Sequence, residues 1–173
     1  YEFGLGIPAE PLFRSRRLLY MELYNSQDML DRLLKGMEGF YRERAEPLRT
    51  LDAAREADPC WYRKSSMLGM MMYADHFAGS LKGVEEKLDY IERCHVNYLH
   101  LMPLLDTPRG RSDGGYAVSA FRKVREDLGT MEDLERLARE CHERGISLCL
   151  DFVMNHTSED HQWAKRARAG EKE

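Results

Sequence analysis

The 173 residues contain no stretch approaching 18 uninterrupted apolar positions, so no membrane-spanning helix is expected. There is no excess of positive charge either. Lysine and arginine total 26 against 30 acidic residues, a net charge of −4, which removes the attraction to phosphate on which nucleic-acid binding rests. No glycine-rich phosphate loop enters a helix and no GxSxG element occurs, so nucleotide and serine-triad chemistry drop out. The four cysteines, Cys60, Cys94, Cys141 and Cys149, form no CxxC pair and read as reduced, buried thiols rather than as a disulfide framework or metal site. The first residues lack the charged start, apolar middle and small-residue cleavage site of a signal peptide, and a cytoplasmic location is expected.

What is present suits a globular fold. Hydrophobic residues make up 43% and charged residues 32%, enough apolar surface to collapse into one ordinary domain, or one small domain and part of another. Over residues 25–44, Leu30, Leu33, Leu34, Met37, Phe40 and Tyr41 recur at helical steps, with Asn25 or Ser26 able to cap the start. A second helix is expected from Pro47, whose missing N–H is harmless in a first turn. Residues 1–60 therefore read as an all-helical N-terminal region.

Residues 61–173 change pattern. Short apolar runs at 68–73, 98–102 and 147–154 alternate with amphipathic segments at 81–91 and 130–141, the first run suiting a strand buried on both faces. Strand, helix, strand, helix, strand is the signature of a parallel sheet with right-handed crossovers, so the class is α/β. Residues 103–129 form a connection far longer than usual after the second strand. Such loops at strand C-termini carry the chemistry of α/β proteins.

Polar groups gather where the three strands should end: Asp75 and His76 after the first, Asp113 and Tyr116 after the second, Asp151, Asn155 and His156 at the third. In a parallel sheet these ends open on one side. Carboxylates, imidazole, amide and a phenol ring suit a polyol site, where planar polar groups bind hydroxyls and an aromatic face covers the sugar C–H side. Structural readings compete: Asp151 as a holder of a neighbouring loop's backbone N–H groups, Asn155 as a turn former, His100 as an interior hydrogen-bonded residue. A rival chemistry is a metal-dependent TIM-barrel hydrolase using Asp75, His76, His100 and His156. A non-catalytic sugar-binding or interaction module is a further alternative.

The run Leu101-Met102-Pro103-Leu104, the loop Ser112-Asp113-Gly114-Gly115-Tyr116-Ala117-Val118-Ser119 and the block Asp151-Phe152-Val153-Met154-Asn155-His156-Thr157-Ser158 together resemble the α-amylase family of glycoside hydrolases, most nearly its sucrose-using amylosucrase branch. The resemblance implies a helical N-terminal region followed by the first three βα units of an incomplete (β/α)8 TIM barrel. It implies that Asp113, Tyr116 and His156 line the subsite for the glucosyl ring, Tyr116 as stacking platform, with Asp75, Asp151 and Asn155 as supports. It implies sucrose and α-glucan as ligands of the parent enzyme, a retaining mechanism, and no cofactor or metal. By the same pattern the nucleophile and the acid/base belong to the ends of the fourth and fifth strands, so the chain reads as a fragment expected to be inactive alone. His76 departs from the arginine common at its position in that branch.

Overall fold

A computed structural model of the chain describes residues 9–58 and 60–171. The chain divides into two compact units, Tyr1–Lys64 and Ser65–Glu173.

The first unit is helical: α1 (Ala9–Tyr24), α2 (Gln27–Glu43), α3 (Glu46–Ala57) and a 3-10 turn at Trp61–Arg63. Of the two expected capping residues it is Ser26 that caps α2, its hydroxyl accepting from Met29 N–H, while Asn25 takes the left-handed φ of 46° that turns the chain out of α1. Pro47 sits in the first turn of α3. The Arg44 guanidinium grips both Asp52 oxygens, at 2.5 and 2.9 Å, and Arg55 lies 3.9 Å over the Trp61 ring. Along the α2 stripe only Leu30 is buried; Leu33, Met37, Phe40 and Tyr41 are exposed.

The second unit runs β1 (Gly69–Met72), α4 (Ala74–Ala78), α5 (Leu81–Glu86), α6 (Leu88–Arg93), β2 (Tyr98–Leu101), β3 (Leu105–Asp106), β4 (Ala120–Val124), α7 (Met131–Glu143), β5 (Ser147–Leu150) and α8 (Gln162–Arg168). Strands β1, β2 and β5 form a parallel sheet in the order β1-β2-β5, with Leu99 opposite Met70 on one side and Leu148 on the other. The helices supply the apolar layer of one continuous core: Leu81, Val84, Leu88, Ile91 and Leu137 pack with Leu99 and Leu101 of β2, all fully buried. Helix α7 starts with a reciprocal cap, Thr130 Oγ1 accepting from Asp133 N–H while Asp133 Oδ2 accepts from Thr130 N–H. Gly83 is required by packing, because a Cβ there would lie 2.0 Å from the Ala78 carbonyl oxygen where α4 meets α5.

Five expectations are corrected. Strand β1 is not buried on both faces: Met71 is 66% exposed, because β1 pairs with β2 alone and lies at the sheet edge. The segment expected as one helix over 81–91 breaks at Lys87 into α5 and α6. The third strand stops pairing regularly at Leu150. Of the free thiols only Cys141 is buried, and that burial pushes it up to about 11; Cys60 is exposed. The long connection, read as loop, holds the antiparallel pair β3-β4, closed by Arg125 N–H donating to Leu104 O and Ser119 N–H donating to Asp106 O, each at 2.8 Å.

Candidate functional site

Asp151 stands one residue beyond β5, where the chain leaves the sheet, and its carboxylate joins two other segments. Oδ1 lies 2.9 Å from His100 Nε2 on β2, and Oδ2 accepts the Tyr116 hydroxyl at 2.7 Å from the long connection. The hydrogen bond to Asp151, with some desolvation and the carboxylate's charge, pushes the Tyr116 phenol up to about 12. Asp151 thus holds side chains rather than backbone N–H groups. His100 is hydrogen-bonded, as expected, and only partly interior.

His156 extends the chain of contacts. Its Nε2 lies 3.2 Å from the Tyr116 carbonyl oxygen, and its Nδ1 lies 3.3 Å from Asn155 Nδ2. A carbonyl can only accept and an amide N–H only donate, so Nε2 is the ring nitrogen placed to donate and Nδ1 the one placed to accept. Both contacts are at the long end for hydrogen bonds, so either can be exchanged for a ligand hydroxyl at small cost. The sequence-predicted Tyr116, Asp151, Asn155 and His156 are thereby brought together.

Asp75 and Asp113 sit differently. Asp75, in the first turn of α4, accepts Arg125 Nη2 at 2.7 Å, and Arg125 also pairs with Asp127 at 2.8 Å. Burial opposes ionisation of Asp75, but the Arg125 guanidinium and the His76 N–H outweigh it and hold the carboxyl below its ordinary range. Asp113 is exposed, and its carboxylate makes no hydrogen bond among the described residues. The glycines that follow are forced by closeness as well as conformation. At Gly114, φ 60°, a Cβ would meet the Tyr73 hydroxyl at 2.9 Å; at Gly115, φ 86°, it would meet Pro103 Cβ at 3.1 Å. The loop tip is tied down by Arg111, which pairs with Glu159 at 2.9 Å and with Asp160.

Sequence reasoning missed Arg125 and Tyr73. A lone arginine in a polar loop carries no pattern, and Tyr73 was absorbed into an apolar run. The Tyr73 ring stands 5.4 Å from the His76 ring, and its hydroxyl marks where Gly114 must pass. Each of the four donors of the metal reading is engaged by another group: Asp75 bonds Arg125, His100 bonds Asp151, His156 bonds Tyr116 and the His76 ring lies near Tyr73. Among the described residues no three histidine, cysteine or acidic side chains gather as a metal cage.

Comparison with known proteins places the chain in a family. Trehalose synthase/amylase TreS of Mycobacterium tuberculosis is 36% identical over 121 residues, covering 67% of this chain and 20% of that protein. Trehalose-6-phosphate hydrolase of Bacillus subtilis is 42% identical over 89 residues, 51% of this chain and 16% of that one. Among solved structures, the trehalulose synthase MutB of Pseudomonas mesoacidophila superposes with a TM-score of 0.55 at 34% identity, covering 60% of this chain and 20% of the other. A trehalose-6-phosphate hydrolase of Bacillus licheniformis gives a TM-score of 0.58 at 33% identity, covering 65% and 21%. The chain spans about a fifth of the length of these relatives, and its parallel βα units correspond to part of their α/β barrel. Residues 43–173 match the alpha amylase catalytic domain, and the chain belongs to the α-amylase family.

Proposed function

We propose that the chain forms the donor-sugar side of a retaining enzyme acting on α-glucosides, with sucrose as the glucosyl donor and α-glucan or water as acceptor. In this reading residues 1–60 are a helical N-terminal region and residues 61–173 open the catalytic barrel. Tyr116 is the platform on which the glucosyl ring stacks. Asp113, whose carboxylate is uncommitted, and His156, whose contacts are long, bond the ring hydroxyls; Asp75, Asp151 and Asn155 support them. The observation that carries the reading is the junction of Tyr116, Asp151 and His156, drawn from two connections that leave the same end of a parallel sheet. Sucrose is favoured by the Asp113-Gly114-Gly115-Tyr116 loop, and a variant of MutB has been solved in complex with sucrose. The cytoplasmic location expected from the sequence goes with this reading.

A retaining mechanism needs two carboxyl groups about 5 Å apart, one attacking the anomeric carbon and one protonating the leaving oxygen. The reading gives neither post to a residue of this chain, since Asp151 is committed to His100 and Tyr116. No turnover is therefore expected from the 173 residues alone. The test is glucose and fructose release from sucrose, with trehalose and maltose in parallel, by the 173-residue chain and by the longest protein that contains it. Sucrose turnover by the longer protein alone, lost in Asp113→Ala, supports the reading. Trehalose turnover without sucrose turnover refutes the donor assignment. Binding without turnover in either protein points to a sugar-binding module.

A further inference from the structure

His100 on β2 carries a chemistry that its place in the sheet does not need. Its neighbours Leu99 and Leu101 are fully buried on the core face, and strand alternation puts His100 on the opposite face. There it stands in register with Met71 and Cys149. An aliphatic or thioether side chain would serve that position in the sheet equally well. The imidazole instead bonds Asp151 at 2.9 Å, across strands, with side-chain exposures of 27% and 24%. That bond takes one carboxylate oxygen and Tyr116 takes the other. A carboxylate held through one oxygen still turns about its terminal torsion, which is broad; held through both by different segments, it does not. Tyr116 is 37% exposed, so packing alone leaves it room to swing.

We propose that His100 is a positioning residue for the sugar platform: it fixes the Asp151 carboxylate in the orientation that anchors the Tyr116 hydroxyl. Its role as a positioner for substrate rests on the reading of Tyr116 as the stacking platform. The Asp151 carboxylate accepts from both sides, His100 presenting Nε2–H to Oδ1 and Tyr116 donating its O–H to Oδ2.

The test uses the full protein labelled at tyrosine Cζ, with the Tyr116 signal identified by its loss in Tyr116→Phe. Asp151→Asn calibrates the shift produced by losing the carboxylate. The decisive pair is His100→Gln, which keeps an N–H donor able to reach Asp151, against His100→Asn, which is chemically alike and one methylene shorter. Gln is expected to leave the Tyr116 signal at its wild-type position, and Asn to move it most of the way to the Asp151→Asn value. His100→Leu should behave as Asn does; if Leu does not fold, the Gln and Asn pair decides. An Asn variant whose Tyr116 signal coincides with wild type while Asp151→Asn shifts it overturns the proposal. Sucrose added to wild type reports separately on the platform itself: no sucrose-dependent change of the Tyr116 signal counts against the sugar reading and leaves the Gln and Asn comparison standing.

Discussion

The two units of this chain make opposite use of similar apolar content. In Tyr1–Lys64 the sequence has a clear helical stripe, yet among its described side chains Leu30 is buried while Phe40 is 78% exposed. In Ser65–Glu173 the apolar runs are shorter and less regular, and they close a core in which seven of the named helix and strand side chains are fully buried. Periodicity decides which backbone a segment adopts; a core needs a second surface of matching shape. The unit with the core also carries every contact of the candidate site, and all of it lies within the span that matches the family.

The comparison is tested most severely by core substitutions. Leu99→Ala is expected to cost about 2 to 5 kcal/mol, and Gly83→Ala about 3 kcal/mol, because the Ala78 carbonyl is backbone and cannot step aside. Phe40→Ala should stay within about 0.5 kcal/mol. Urea midpoints measure all three, and a Phe40→Ala loss as large as that of Leu99→Ala would show that the N-terminal stripe is buried after all.

Arg125→Ala comes next, at about 1 kcal/mol, since the pairs it breaks are partly exposed and screened. Asp75 is held below its ordinary range, so its contribution is present above that range and fades as pH falls through its folded value. Stability of Arg125→Ala should therefore lose less than wild type between pH 5 and 2, roughly the window in which carboxylates protonate. Tyr116 gives the opposite limb. Its phenol is raised to about 12, so its contribution is full below the ordinary value near 10 and disappears as pH rises toward 12. Absorbance of the phenolate should show Asp151→Asn returning Tyr116 toward the ordinary value. Smallest of all, Arg111→Ala at the exposed loop tip should cost within about 0.5 kcal/mol, and raised salt should erase the difference.

Much of this is legible in the sequence itself. The three parallel strands follow from apolar runs with clear stops, Pro103 after β2 and Gly145 before β5. The convergence of Tyr116, Asp151 and His156 follows from strand ends opening on one side. What escaped has physical causes. Strand β3 is two residues long and β4 carries Arg122 and Lys123, so neither shows an alternating apolar face. Helix α8 has no buried residue and hence no stripe. The exposure of Met71 depends on which strands flank β1, a fact of assembly rather than of local composition. Arg125 acts through a partner fifty positions away, a pairing that spacing along the chain does not encode.

The hairpin inside the long connection has a practical consequence. Its base is clamped by the Leu104–Arg125 and Asp106–Ser119 bonds, whereas Arg109 and Gly110 at its tip are exposed, with Gly110 already in a left-handed turn. Extra residues spliced between those two would lengthen the arm and leave strand register untouched. That makes the tip a natural address for a reporter dye or epitope, outside the bonds that close the hairpin and so able to spare folding.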